Sequence, residues 1–114
     1  MEKINNEELK KDVQALTALI LKSRETINKA KSKTDSLLLA SDIMSANLNV
    51  GRWYLLCEQA YEAEKSEFIA QGMSAAAAES KTKVSDLYYN FKRAKQLYDM
   101  GEEAIRIMKK AGEY

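Results

Sequence analysis

The chain has 114 residues, of which 46% are hydrophobic and 31% are charged, a composition typical of one folded globular domain and unlike that of a disordered segment. It contains no proline, the main helix breaker, so long helices are expected and an all-α fold is predicted. Its 18 basic and 17 acidic residues give a net charge of +1, which provides no overall attraction to nucleic acid or to an anionic membrane.

The first predicted helix covers about residues 6–32 and begins at Asn5 or Asn6, either of which can cap it. Glu7 and Glu8 follow in its first turn, where carboxylates favour the helix dipole. Steps of three and four residues define one narrow stripe, widened in the middle by Leu19 and Leu21. The stripe positions are Leu9, Val13, Leu16, Ile20, Ser23, Ile27 and Ala30.

Two segments can separate the first helix from the second. Residues 32–36 form a polar cluster in which Asp35 or Ser36 can cap a following helix, and we place the break there. The alternative is the segment 47–51, which holds two asparagines and a glycine. With the first break, helix 2 covers about residues 36–71.

A turn at Gly72-Met73-Ser74 ends helix 2 and starts helix 3, which covers about residues 75–111. Gly72 can adopt the left-handed conformation that ends many helices, and Ser74 can cap the next one. Because so few residues separate the two helices, helix 3 must fold back along helix 2. The sequence therefore predicts a single domain, residues 1–114, built as an elongated antiparallel three-helix bundle on a long αα-hairpin.

Folding about this turn pairs residues whose numbers sum to about 145, which predicts the register of the hairpin. The predicted stripe of helix 3 includes Ala77, Val84, Leu87, Phe91, Ala94, Tyr98, Gly101, Ile105 and Met108. The predicted core pairs are Phe68–Ala77, Tyr61–Val84, Tyr54–Phe91, Met44–Gly101 and Leu37–Met108, and the predicted ion pairs are Glu62–Lys83 and Glu64–Lys81. Stripe surface that the thin bundle leaves exposed favours dimerisation through the long helices.

Catalytic motifs are missing from the sequence. Histidine is absent, which excludes Ser-His-Asp and Cys-His catalysis and removes the commonest metal ligand. Four scattered glycines form no phosphate-binding loop, and Glu58, Glu62 and Glu64 are interpreted as a solvated face. Cys57 is predicted to be a buried structural thiol, which suits a reducing compartment. We expect no enzyme, no metal and no cofactor.

The amino terminus lacks the apolar core of a signal peptide, and the apolar stretch at 16–21 is far too short to span a bilayer. We therefore expect a cytoplasmic protein that does not enter a membrane.

Two segments, 22–33 and 81–95, each carry four more basic than acidic residues. The second segment also contains aromatic residues between its basic residues. The predicted partner-binding residues are Tyr88, Tyr89, Lys92, Arg93 and Lys95, on the outer face of helix 3. The leading hypothesis is binding to a protein partner through this helix face. The alternatives are binding of single-stranded nucleic acid, in which phosphates meet the cations and bases stack on tyrosine, and a structural homo-oligomer.

Several short segments carry a family resemblance. They are Trp53-Tyr54, Ala60-Tyr61-Glu62-Ala63-Glu64, Gln71-Gly72-Met73-Ser74 and Ala78-Glu79-Ser80-Lys81. Over about residues 48–111 the chain resembles small all-helical accessory proteins of bacteriophages and prophages. These proteins combine an aromatic, Ala-Glu-rich helix with a Gly-x-Ser turn and a second long helix that opens with Ala-Glu. The resemblance implies a phage or prophage origin and an accessory role, and it brings no catalytic motif.

Overall fold

The computed structural model describes residues 5–28 and 33–113, and the regular structure in this part of the chain is entirely helical. The all-α prediction is therefore confirmed. The described residues form four helices: α1 (Asn6–Asn28), α2 (Lys33–Ala70), α3 (Ala75–Thr82) and α4 (Asp86–Glu113). Together they form an elongated body of 59 × 25 × 17 Å. Of the helices described, none combines the length and the apolar character that a membrane crossing requires.

The start of α1 follows the prediction. The helix begins at Asn6, and the side-chain oxygen of Asn5 accepts hydrogen bonds from the backbone N–H groups of Glu7 and Glu8 at 3.1 and 3.2 Å. These bonds satisfy two of the donors that a helix start leaves unpaired. The predicted end of this helix at 32, and the stripe position Ala30, lie outside the described residues.

The start of α2 corrects two predictions. The helix already begins at Lys33, so neither Asp35 nor Ser36 is its cap; Asp35 lies in the first turn and Ser36 is buried. The alternative break at 47–51 is wrong, because this segment lies in the middle of α2. Asn47 and Gly51 resemble helix breakers, but each packs against α4, and tertiary contacts outweigh their weak helix propensity.

Gly72 and Ser74 act as the sequence predicts. Gly72 has a φ of +102°, and the N–H groups of Gly72 and Met73 bond to the carbonyls of Ile69 and Phe68 at 3.0 and 3.1 Å. This is a Schellman motif, which satisfies the last carbonyls of α2. The Ser74 hydroxyl then accepts a hydrogen bond from the N–H of Ala77 at 3.2 Å and caps α3.

The single helix predicted over 75–111 is wrong, because residues 83–85 divide it into α3 and α4. The Thr82 carbonyl accepts hydrogen bonds from both the N–H and the hydroxyl of Ser85, at 3.0 and 2.6 Å, which closes a tight turn. The Ser85 hydroxyl also lies 3.4 Å from the N–H of Tyr88, as a cap of α4 would. Serine followed by aspartate at 85–86, after two β-branched residues, is a start signal that could have indicated this break.

Residue pairs along α2 and α4 run in opposite directions, and one of the predicted pairs is confirmed: the rings of Tyr54 and Phe91 stack at 5.6 Å. Elsewhere the register is shifted by about one helical turn. Gly101 lies against Asn47 rather than Met44, and Gly112 lies against Leu37, which was predicted to meet Met108. The turn at 83–85 accounts for the shift, because α4 starts later along the chain than an uninterrupted helix would.

Two predicted core residues of helix 3 lie on the surface. Val84 lies in the turn with 86% of its surface exposed, and Ala77 is exposed whereas its neighbour Ala78 is buried. The predicted ion pairs are also wrong: Lys83, which follows α3 directly, pairs with Glu79 of α3, and Lys81 lies over the ring of Phe68.

The core joins α1, α2 and α4. Its buried residues include the predicted stripe positions Leu16 and Ile20 of α1, whereas Leu21 is 53% exposed and does not widen the stripe. Trp53 of α2 is buried and donates a hydrogen bond of 2.6 Å from its indole nitrogen to the Asp12 carboxylate of α1. Hydrogen bonds to a charged partner typically stabilise by about 1.5–3 kcal/mol, so this one fixes α1 on α2.

Candidate functional site

Five aromatic rings, contributed alternately by α2 and α4, pack against one another and determine which tyrosines remain available for binding; three of the four pairs are stacked, and Tyr61–Tyr88 is tilted by 43°. They follow one another in the order Tyr98, Tyr54, Phe91, Tyr61 and Tyr88, with centroid distances of 5.5–6.1 Å between neighbours. Such pairs stabilise by about 0.5–1.5 kcal/mol each beyond the burial of their area. Tyr88, a predicted partner-binding residue, is therefore committed to the contact between α2 and α4.

The other four predicted partner-binding residues lie on the surface of α4. Tyr89 is 60% exposed, and Lys92, Arg93 and Lys95 are all exposed. The Lys92 amino group lies over the ring of Tyr88, 5.6 Å from its centroid, in a cation–π contact. Within residues 5–28 and 33–113, no carboxylate lies at salt-bridge distance from these three cations.

The structure does not bring these residues onto one narrow face. At about 100° per residue, Tyr89 and Arg93 share one side of α4, whereas Lys95 lies more than 90° away around the helix. Lys92 lies between them. The cations therefore form a broad charged surface, and only Tyr89 and Arg93 form a continuous row.

A groove between α1 and α4 extends this row. The positions that follow Tyr89 and Arg93 at helical spacing are Gln96 and Met100, and both line the groove. Its volume is about 370 Å³, within the size range of small binding clefts. The lining is mainly apolar and comprises Ile20, Ser23 and Arg24 of α1 and Gln96, Asp99, Met100, Glu103, Ala104 and Ile107 of α4.

Charged groups of both signs line the groove, on α4 and on α1. Glu103 is held by Arg106, three residues further along α4, whose guanidinium lowers the pKa of this carboxyl. Arg24 of α1 lines the opposite wall of the groove. The combined surface thus offers an aromatic ring and Arg93 at one end, an apolar floor at Met100, and charges of both signs along the rim.

Sequence reasoning missed the groove residues. Met100 and Ile107 fall on the same helical row as Tyr89, at steps of 11 and 18 residues, so the extension of that row along α4 was a signal in the sequence. Their burial partner Ile20 lies 80 residues away from Met100, and no local pattern indicates that separation.

The polar side chain of Asn47 lies buried between α2 and α4. The Asn47 side chain is 2% exposed and donates a hydrogen bond of 3.0 Å to Glu102, while its oxygen has no donor among the described residues. The charge of Glu102, together with burial, raises the pKa of Tyr98. A buried amide needs a hydrogen-bonding partner, and the partner Glu102 reaches Asn47 in this register. The pair therefore favours a single register of α2 against α4.

Other chemistry is limited in the described part of the chain. Cys57 is fully buried, and burial raises the pKa of its thiol, which disfavours the nucleophilic thiolate. Residues 5–28 and 33–113 contain no cluster of three or more side chains that could jointly hold a metal ion.

Comparisons with known proteins give no match: no protein-family model, no curated protein and no solved structure is similar to this chain.

Proposed function

We propose that the protein is a non-enzymatic helical adaptor that binds a segment of another protein along α4. The observation that carries this proposal is the continuity of exposed Tyr89 and Arg93 with the apolar groove beside Met100. A single row thus combines an aromatic residue, a cation that has no carboxylate partner among the described residues, and an adaptable methionine. Aromatic residues, arginine and methionine are enriched in protein-binding surfaces.

The partner segment that fits this row is an amphipathic helix. Its apolar residues would enter the groove at intervals of three, four and seven residues, and carboxylates near one end would face Arg93 and Lys92. The groove is lined on both sides by helices, which provide rigid walls for such a segment.

This function requires the elongated scaffold that the sequence predicted. We propose that α2, α3 and α4 form an antiparallel hairpin about Gly72 and that α1 completes a three-helix bundle. Packing of α2 against α4 and the cap of Ser74 support this arrangement. The phage or prophage origin and the cytoplasmic location remain parts of the same proposal.

Affinity capture tests the surface. The wild-type chain and two variants, Tyr89→Ala/Arg93→Ala and Met100→Glu, are immobilised and exposed to a lysate of cells that naturally carry the gene. We expect quantitative mass spectrometry to show at least one protein that the wild type retains and both variants lose. Alanine at a central tyrosine or arginine typically costs about 2 kcal/mol or more of binding energy, roughly a 30-fold loss of affinity.

A matched variant on another face provides the control. Lys10→Ala/Lys11→Ala changes two exposed residues of α1, and it should retain the captured protein. Circular dichroism should show equal helicity in all variants, since each substituted side chain is at least partly exposed. Equal capture by the wild type and both α4 variants would refute this surface as the binding site.

Binding of single-stranded nucleic acid is the second candidate, because Lys92, Arg93 and Lys95 carry charge that no described carboxylate neutralises. Among the described residues, Tyr89 is the exposed ring beside them, since Tyr88 packs against Tyr61 in a tilted arrangement. Fluorescence anisotropy with labelled single-stranded oligonucleotides at about 50 and 200 mM salt separates the two candidates. Steeply salt-dependent binding that is lost when the three cations become alanine would favour nucleic acid over a protein partner.

A further inference from the structure

A second surface, on α2, is apolar and separate from the row of Tyr89, Arg93, Gln96 and Met100 on α4, which we call the α4 row. Four of its large side chains are exposed in the structure. Two of them, Leu37 and Met44, were predicted to lie in the core, and the other two follow at steps of four and seven residues. The four are Leu37 (48% exposed), Met44 (42%), Leu48 (75%) and Leu55 (56%). At about 100° per residue these four positions fall within 40° of one another around α2 and form a straight row about 27 Å long. We call it the α2 row.

The spacing of the α2 row is self-complementary. Its steps of seven, four and seven residues read the same in both directions, with a centre at residue 46. When two copies of α2 lie antiparallel about a two-fold axis at this centre, Leu37 faces Leu55 of the second copy and Met44 faces Leu48. Mutual pairing of this kind is what a symmetric dimer interface requires.

Charges beside the row agree with the antiparallel orientation. Lys33 at one end and Glu58 and Glu62 at the other lie on the same flank of α2, within about 60° of the row. In antiparallel helix pairs, equal flanks meet, so Lys33 of one copy lies level with Glu58 and Glu62 of the other at both ends. A parallel pair would instead place equal flanks on opposite sides of the interface, and Lys33 would lie level with no glutamate of this flank.

The row is also accessible in the folded chain. Trp53, which contacts α1, lies about 140° from Leu48 around α2, so α1 does not cover the row. Gly112 of α4 packs against Leu37 at one end of the row, and this side chain still keeps 48% of its surface exposed. The flanking residues Ser41 and Ser45 are exposed and small, which allows a second helix to approach closely.

We infer that the chain forms a homodimer in which α2 packs antiparallel against α2 of a second copy through the α2 row. The dimer presents two α4 rows, on the sides of the molecule away from the interface. The inference does not rest on the proposed function of α4, because it concerns a different face and needs no partner other than the chain itself.

Sedimentation velocity of the full chain between about 1 and 200 μM tests the assembly. We expect the wild type to sediment as a dimer at the upper concentrations, and Leu48→Glu to remain a monomer with unchanged helicity. A carboxylate buried without a partner in this interface should weaken the dimer by at least about 100-fold. Leu21→Glu is the matched control, because Leu21 has a similar exposure of 53% but lies on α1. It should dimerise as the wild type does.

Disulfide cross-linking tests the orientation. In the antiparallel dimer an equimolar mixture of Leu37→Cys and Leu55→Cys should form the mixed disulfide, because these positions face each other. Each variant alone should not cross-link, since its two copies are separated by about 27 Å along the helix, far beyond the reach of a disulfide. Cys57 is buried and does not compete.

Three results would overturn the inference: a monomeric wild type at all concentrations, dimerisation of Leu48→Glu equal to that of the wild type, or efficient cross-linking of Leu37→Cys with itself. None of them affects the capture experiment at α4, so a failure of the dimer and a failure of the proposed function can be told apart.

Discussion

Replacing Gly101 with alanine should destabilise the protein, although alanine is the better helix former. A Cβ atom at this position would lie 2.1 Å from the Asn47 side-chain oxygen and 2.6 Å from its Cγ, far inside contact distance. Asn47 is buried and held by its hydrogen bond to Glu102, so it cannot swing into solvent without losing that bond. The contact between α2 and α4 must therefore open.

The size of the effect follows from two opposing contributions. Overpacking a well-packed site typically costs about 1–3 kcal/mol, and the rigid, buried neighbour of Gly101 places this site in the upper part of that range. The gain in helix propensity from glycine to alanine offsets about 1 kcal/mol. We expect the free energy of unfolding to fall by about 1–2 kcal/mol, or roughly 4–8 °C in Tm for a chain of this size.

Urea unfolding followed by the fluorescence of Trp53 and by circular dichroism measures this change, because Trp53 is the only tryptophan and is buried. Gly112→Ala is the matched control in the same helix. The atoms nearest to its Cβ would be Cγ and the two Cδ atoms of Leu37, whose half-exposed side chain can move aside. We expect this control to be neutral or slightly more stable than the wild type.

A double-mutant cycle makes the test specific for the Asn47 contact. Asn47→Ala removes the atoms that obstruct the new Cβ, so Gly101→Ala should be harmless or stabilising in that background. An equal loss of stability with and without Asn47, or a Gly101→Ala variant more stable than the wild type, would refute the reasoning.

Three other changes give separate tests of the structure, each measured by urea unfolding with circular dichroism. Trp53→Phe removes the hydrogen bond to Asp12 but keeps an aromatic ring, and it should lower the free energy of unfolding by about 1.5–3 kcal/mol; no change would show that this bond does not hold α1. Val84→Ser should change stability by less than about 0.5 kcal/mol, because the side chain is almost fully exposed, whereas a core valine would cost several times more. Burial raises the pKa of Cys57, so the unfolded chain loses this proton first and stability should fall as the pH rises above the ordinary value of 9.0; Cys57→Ala should reduce that fall, and an unchanged slope would contradict it.

Local chemistry explains why helix ends were predictable from the sequence. Asn5, Gly72 and Ser74 act through their own backbone conformation or through hydrogen bonds that reach only two or three residues along the chain. Such contacts depend on neighbours that the sequence displays directly. Periodicity likewise indicated the buried residues Leu16 and Ile20 of α1 and most of the buried face of α4.

Contacts between distant segments decided the rest. Asn47 and Gly51 look like a helix break, but in the structure they are the positions where α4 packs closely on α2, with Gly101 and Tyr98 as their neighbours. The same residues can indicate a helix break or a close contact between helices. Which of the two occurs depends on contact partners about 50 residues away along the chain.

The sequence by itself determined an all-helical chain without histidine or phosphate-loop chemistry, the cap of α1 and the turn at Gly72. Tertiary structure decided the register of α2 against α4: the turn at residues 83–85 accompanies a shift of about one helical turn at Gly101 and Gly112, whereas Tyr54 and Phe91 meet as predicted. It also decided which faces remain exposed: the row at Tyr89 and Arg93 continues into a groove lined by Ile20, and the side chains of the α2 row keep 42–75% of their surface exposed. Exposure is a property of what packs against a residue, and no single helix contains that information.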